Sequence, residues 1–153
     1  MKNLTTVEGI LDFAIAGEEE SVQFYSDLAD RVEKPWLGIR PVLQEFAREE
    51  MKHKEKLLAV KEGKLLVPAQ QKVQDLQISD YLVDVKPSPH LDYQGVLILA
   101  MKKEKAAFML YTHLAEITNE DNLQAIFLVL AQEEAKHKLR FEVEYDEHIR
   151  ANN

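Results

Sequence analysis

The chain has 153 residues, 46% hydrophobic and 30% charged, a composition typical of one globular domain with its own core. It contains no cysteine, which excludes disulfides, zinc–cysteine sites, thiol catalysis and cysteine-ligated iron–sulfur clusters. The formal net charge of -8 argues against a nucleic-acid partner, which would require a basic surface. We find no signal peptide and no apolar stretch long enough for a membrane span, so we predict a cytoplasmic protein without a membrane partner.

Apolar residues recur at helical spacing in four segments, and no segment alternates with the period of a strand. The predicted helices cover residues 6–32, 37–61, 92–117 and 120–148. Thr5 or Thr6 is a candidate N-cap for the first helix, and Pro41 fits the first turn of the second. Residues 63–91 are too long for a tight turn and predict a crossover between helices 2 and 3. The expected fold is a single all-α domain over 1–153, an antiparallel four-helix bundle.

Each predicted helix has one apolar stripe, and in each the stripe is interrupted near its middle by a glutamate. The four stripes consist of Leu11, Ala14, Glu18, Val22, Tyr25, Ala29 and Val32; Leu43, Phe46, Glu50, His53, Leu57 and Val60; Leu97, Ala100, Glu104, Ala107, Tyr111 and Leu114; and Leu123, Phe127, Leu130, Glu134, His137, Phe141 and Tyr145. Residues three apart project from one side of a helix, so each Glu-x-x-His pair forms an inward-facing clamp.

The same polar pattern occurs twice along the chain, which indicates two helical hairpins of one design. The first half has Glu18 and Tyr25 followed by Glu50 and His53. The second half has the equivalent set, which is Glu104, Tyr111, Glu134 and His137.

Four buried carboxylates repel one another and cannot all ionise without compensation. Two divalent metal ions would balance four carboxylates while the two histidines bind as neutral ligands. The neighbouring acids fall off the stripes and are expected to be solvated; they are Glu19, Glu20, Glu49 and Glu133. We do not expect His90, His113 or His148 to join this site. The pattern of two single glutamates and two Glu-x-x-His pairs is that of carboxylate-bridged dinuclear sites in ferritin-like bundles.

The sequence resembles the rubrerythrin family of the ferritin-like superfamily. The residues that carry the resemblance are AGEEESVQFY (16–25), FAREEMKH (46–53), AMKKEKAAFMLY (100–111) and LAQEEAKH (130–137), and the match extends over residues 7–148. The resemblance implies a ferritin-like bundle with a non-haem di-iron centre whose metal ligands are Glu18, Glu50, His53, Glu104, Glu134 and His137. It also implies that Glu50 and Glu134 are candidates to bridge the metals, that hydrogen peroxide is reduced, and that the protein is a homodimer.

The sequence departs from the family pattern in two respects. The four cysteines of the usual rubredoxin domain are absent, so electrons would come from a separate protein such as a rubredoxin. Ala107 stands where typical members have an extra glutamate, three residues after the ligand of the third helix.

Several interpretations stay open at this point. Mixed oxygen and nitrogen ligands suit iron, and manganese or a mixed-metal site is possible. The oxidant could be hydrogen peroxide or dioxygen, and the alternatives to a peroxide reductase are a ferroxidase for iron storage or handling, an oxidase acting on an organic substrate, and a metal-free bundle. Tyr25 and Tyr111 either donate a hydrogen bond to a ligand carboxylate, which would orient it, or are ordinary core tyrosines.

Overall fold

The structure, a computed structural model, describes residues 7–34, 36–62, 93–118 and 121–148. These ranges contain four α-helices: α1 Val7–Arg31, α2 Arg40–Lys61, α3 Tyr93–Ile117 and α4 Asp121–His148. A short 3-10 helix, Leu37–Ile39, precedes α2 and places Pro41 in the first turn of that helix, where its missing N–H costs nothing. The predicted crossover, the caps at Thr5 or Thr6, and His90 lie outside the described residues.

The chain divides into two compact units, one built on α1 and α2 and the other on α3 and most of α4. Each unit is an antiparallel helical hairpin.

The first hairpin is held along its length by contacts between α1 and α2. Lys54 Nζ lies 2.7 Å from Glu19 Oε1. Lys61 Nζ, at the C-terminal end of α2, pairs with Asp12 near the N-terminal end of α1. The Arg40 guanidinium donates hydrogen bonds to the carbonyl oxygens of Ala29, at 2.8 Å, and Val32, at 2.9 Å. The two Arg40 hydrogen bonds satisfy carbonyl oxygens at and just after the C-terminal end of α1, where the last carbonyls of a helix have no intrahelical N–H donor.

The second hairpin has aromatic packing in its middle and hydrogen bonds at both ends. Tyr111 stacks on Phe127 with ring centroids 6.2 Å apart. Near the turn, Gln124 Nε2 donates to the Ala115 carbonyl oxygen at 2.9 Å. At the other end, the Tyr93 hydroxyl donates to Glu144 Oε1 at 2.7 Å, which ties the first residue of α3 to the last turns of α4.

Burial follows the predicted stripes closely, although four stripe positions are only half-buried. The predicted stripe of α2 is buried at every position. In α1 and α3 the stripe residues Val22, Val32 and Ala107 are half-buried. In α4 the prediction of a buried Tyr145 is wrong. The buried stripe steps from Phe141 by three residues to Glu144, and Tyr145 is left half-buried.

Among the described residues, no helix combines the length and the apolar character that a membrane span requires.

Candidate metal centre

The first hairpin brings three of the predicted ligands together, and we name Glu18, Glu50 and His53 the first half-site. Glu50 is only 1% exposed, and the other two side chains are also buried. Their ligand atoms lie within 4.8 Å of one another. His53 Nδ1 is 3.3 Å from Glu50 Oε1 and 3.6 Å from Glu18 Oε1, so that ring nitrogen faces both carboxylates.

Helical spacing explains how α1 and α2 present these groups. Glu50 and His53 are three residues apart on the side of α2 that also buries Phe46 and Leu57. On α1, the glutamates that follow Glu18 point to solvent, and one of them pairs with Lys54 on the surface. Of the three consecutive glutamates 18–20, Glu18 is therefore the one that is buried beside the other ligands.

The second hairpin repeats the arrangement, and we name Glu104, Glu134 and His137 the second half-site. Glu104 and Glu134 are each 1% exposed and His137 is 2% exposed. The three ligand atoms lie within 4.8 Å of one another, and His137 Nδ1 is 3.4 Å from Glu104 Oε1. Each hairpin thus has two buried carboxylates and one buried imidazole in the same relative positions along its helices.

The carboxylates of the first half-site control the proton affinity of its histidine. Burial alone would lower the pKa of His53, because it disfavours the charged imidazolium. Glu18 and Glu50 outweigh burial through hydrogen bonding and charge, and they raise the pKa of His53 from 6.5 to about 10. Without a metal, a proton on the imidazole therefore supplies part of the positive charge that the two carboxylates require.

The six side chains fit a pair of divalent cations. In each half-site, one divalent ion would balance the two carboxylates, and oxygen with imidazole nitrogen is a ligand set typical of iron and manganese. Glu18, Glu104 and Glu134 each also bury one carboxylate oxygen that makes no hydrogen bond within the described residues, although each residue has other interactions. A metal ion would use these atoms as ligands and offset the cost of burying them.

Tyr25 and Tyr111 lie in the core, as expected for residues on the stripes. The Tyr25 ring meets Phe24 and Phe46 edge to face, with centroids 5.1 Å and 5.7 Å away. The Tyr111 ring stacks on Phe127. These ring contacts account for their burial, and a hydrogen bond from either hydroxyl to a ligand carboxylate remains a prediction.

The other described histidines lie outside the two half-sites. His113 is exposed, 3.9 Å from Glu116. His148 lies 3.4 Å from Glu144 at the end of α4. The buried carboxylate of Glu144 was not predicted, although its position seven residues after His137 indicates an inward direction.

The comparisons with known proteins agree with this geometry. The family described as Rubrerythrin matches residues 9–77 and 95–150. A protein from Thermotoga maritima, described as a proposed ferritin-like diiron-carboxylate protein, is similar in structure with a TM-score of 0.76, covering 97% of this chain and 99% of that chain at 21% identity. A protein from Pyrococcus furiosus, described as hypothetical, has a TM-score of 0.67, covering 91% of this chain and 87% of that chain at 26% identity. No match was found among curated proteins. The structural likeness confirms the predicted all-α, ferritin-like four-helix fold.

Proposed function

Because this chain belongs to the rubrerythrin family, we propose that it is a non-haem di-iron protein that reduces hydrogen peroxide with electrons from a separate donor protein, such as a rubredoxin. The observation that carries the proposal is the burial, in each hairpin, of two glutamates and one histidine with clustered ligand atoms. The absence of cysteine, and so of disulfides, also fits a cytoplasmic location, where disulfides rarely persist.

Each half-site would hold one iron through three side chains of its own hairpin. Glu18, Glu50 and His53 would bind the first iron, and the second half-site would bind the other. Ferrous iron at both positions would supply the two electrons that, with two protons, reduce one hydrogen peroxide to two waters.

The protein's contribution is geometry, charge balance and exclusion of water. Ala100 and Leu130 are fully buried one turn before Glu104 and Glu134, so the carboxylates of the second half-site sit beside apolar side chains. In such surroundings an unbalanced negative charge is costly, which favours cation binding. The imidazole of His53 would give up its proton as a metal enters and would then bind through the nitrogen that faces the carboxylates.

A second candidate function is ferroxidase activity for iron storage or handling. The observation that favours it is Ala107, a half-buried residue whose side chain cannot act as a ligand, at the position where typical family members carry an extra glutamate. With one potential ligand fewer, the centre would hold its iron less tightly and would suit iron that is taken up, oxidised and passed on.

The experiment that separates these functions starts with an anaerobic ferrous titration of the metal-free protein. The loaded protein is then mixed in separate runs with hydrogen peroxide and with air-saturated buffer, and ferric iron is followed by visible absorbance in a stopped-flow instrument. Uptake of about two irons per chain, with much faster oxidation by peroxide, supports the peroxide reductase. Faster oxidation by dioxygen supports the ferroxidase.

A matched pair of variants makes the titration specific to the site. Glu50→Ala removes a buried ligand, whereas Glu49→Ala removes its half-buried neighbour on the same turn of α2. The proposal requires lower iron uptake in the first variant only. Equal stoichiometric uptake by both variants would contradict it.

A further inference from the structure

The two hairpins bury the same kinds of residue, but their outer surfaces differ in charge beside the first ligand of each. On α1, the two residues after Glu18 are the exposed acids Glu19 and Glu20. On α3, the ligand Glu104 stands in the stretch KKEK (102–105), with lysines on both sides. The equivalent helices therefore carry opposite charges at the level of the metal ligands.

The lysines of α3 belong to a basic face, which we define as Lys102, Lys105 and Met109. At about 3.6 residues per turn, these three residues lie about 100–160° around the helix from Glu104 and so point away from the half-site. Both lysines are exposed, and Met109 is 41% exposed. The carboxylates of α3 are those of Glu104, which is buried, and of Glu116 near the last turn. No acid of α3 therefore lies beside the exposed lysines.

On the other helices, exposed bases lie among acids. Arg48 Nη2 of α2 is 2.6 Å from Glu45 Oε2, and Lys138 Nζ of α4 is 3.0 Å from Glu142 Oε1. Of the four described helices, only α3 has exposed lysines with no exposed acid within two turns of the same helix. The whole chain has a net charge of -8, so most of its surface would repel an acidic partner. The basic face of α3 would attract one.

We propose that the basic face of α3 is the docking surface for the electron donor, a small iron protein with an acidic surface. This inference rests on the proposed function, which requires a separate donor. The basic face and Glu104 lie on different sides of one helix, so a docked protein would be about one helix diameter, about 10–12 Å, from the second half-site. Each encounter transfers one electron from the ferrous iron of the donor, which becomes ferric. Two encounters supply the two electrons that one hydrogen peroxide consumes.

The size and composition of the face favour such a donor over other anionic partners. Electron-transfer partners form small, weak interfaces, which lets the donor leave after each electron. Exposed charges mainly accelerate the encounter, and the flexible Met109 side chain can adapt to the surface that it meets. Attraction to an anionic membrane would require a cluster of about four to eight bases, and nucleic acid would be repelled by the acidic remainder of the chain.

Stopped-flow reduction of the oxidised, iron-loaded full chain by an acidic rubredoxin, without oxygen, tests the proposal. Lys102→Glu/Lys105→Glu reverses the charge of the basic face. Lys52→Glu/Lys56→Glu makes the same change at two exposed lysines of α2, so the two variants have equal net charge. At low ionic strength we expect the α3 variant to lower the second-order rate constant about tenfold, and the α2 variant to lower it much less. The difference should disappear at about 1 M salt, where the Debye length is about 3 Å.

Two further measurements separate docking from the metal centre. An NMR titration with zinc-substituted rubredoxin, which transfers no electron, should show binding weakened about tenfold in the α3 variant only. Oxidation of the ferrous-loaded proteins by hydrogen peroxide needs no donor, and both variants should match the wild type. Failure of the wild type in that reaction would contradict the proposed function, whereas the docking surface is judged by the rubredoxin measurements.

Four results would overturn the docking surface. They are no reduction of the wild type by the acidic rubredoxin, a wild-type rate in the α3 variant, an equal or larger loss in the α2 variant, and binding of this face to anionic lipid vesicles in place of the acidic protein. Circular dichroism and iron content of each variant verify that a lower rate does not come from a damaged fold or an empty metal centre.

Discussion

Glu134 and Glu133 are adjacent acids with opposite environments. Glu134 is buried on the stripe of α4 and clusters with Glu104 and His137, whereas Glu133 pairs with Lys136 at the surface. A buried carboxylate costs several kcal/mol unless it is paired, so its presence in a core requires a compensating positive charge. Replacing Glu134 and Glu133 in turn therefore separates the loss of a metal ligand from the loss of a surface acid on the same helix.

Glu134→Ala is expected to reduce iron uptake from about two ions to about one per chain, because the second half-site loses one of its two carboxylates. The iron-loaded variant should also unfold at lower temperature than the wild type, since bound metal stabilises the folded state. Glu133→Ala should change neither quantity measurably. Iron analysis and thermal unfolding of both variants check the prediction, and full iron uptake by Glu134→Ala would contradict it.

The raised pKa of His53 gives iron binding a defined pH dependence. With a pKa of about 10, His53 is protonated at pH 7 in the metal-free protein, and iron must displace that proton. The apparent iron affinity of the first half-site should therefore rise as pH increases toward about 10 and fall as pH decreases. Anaerobic calorimetry in two buffers of different ionisation enthalpy should show proton release, and His53→Ala should release about one proton fewer. Equal release by the two proteins would disprove this assignment.

At the residue scale, the stripe pattern predicted which acids are buried, because side chains on the packed side of an amphipathic helix must point toward the core. It distinguished Glu18 from its two neighbours and Glu134 from Glu133. It was wrong at Tyr145, where steps of three and four residues were equally acceptable. Glu144 is the buried residue there, and it accepts a hydrogen bond from Tyr93, fifty-one residues away in sequence. Helical periodicity does not report such a contact.

At the scale of elements, each hairpin contains its own buried polar cluster and its own contacts at the ends. In the second hairpin, the Tyr93 hydroxyl donates to the buried carboxylate of Glu144. Burial and the adjacent carboxylate raise the pKa of Tyr93, so the phenol keeps the proton that it donates. The neighbouring bond from Gln94 Nε2 to the Tyr145 hydroxyl, at 3.0 Å, joins half-buried groups.

Tyr93→Phe should therefore destabilise the protein by about 2 kcal/mol, because it removes a hydrogen bond to a charged, buried acceptor. Tyr145→Phe removes a hydroxyl in a bond between neutral and more accessible groups, and should cost less than about 1 kcal/mol. Urea unfolding of the metal-free variants measures both changes without interference from iron. A cost for Tyr145→Phe equal to or above that for Tyr93→Phe would show that Glu144 does not depend on this bond.

At the scale of the whole molecule, removal of the metal should change the stability of the fold. The metal-free chain should unfold at lower temperature than the iron-loaded chain, because its buried carboxylates then lack their counter-ions. Zinc should restore the unfolding temperature, since it accepts the same ligands, but should give no reaction with hydrogen peroxide because it has no redox chemistry. Calorimetry with chelator, iron or zinc measures the first effect. Identical unfolding temperatures in all three would favour the metal-free interpretation of the buried cluster.

The fold class could be predicted from the sequence because four long amphipathic segments with few glycines and prolines leave little alternative. The helix bounds agree within a few residues, with the main difference at Leu37–Ile39, where a 3-10 helix precedes α2. Local periodicity does not report such a change of helix type. The predicted crossover at 63–91 has no apolar period of its own and lies outside the described residues.

The buried carboxylates of the two half-sites have a consequence for the amount of protein in a cell. A chain whose core requires metal ions opens more often when those ions are scarce, and proteases cleave the opened form. Synthesis at a constant rate would then give less protein under iron limitation, without any change in transcription. The lifetime of the chain would itself report the local supply of iron.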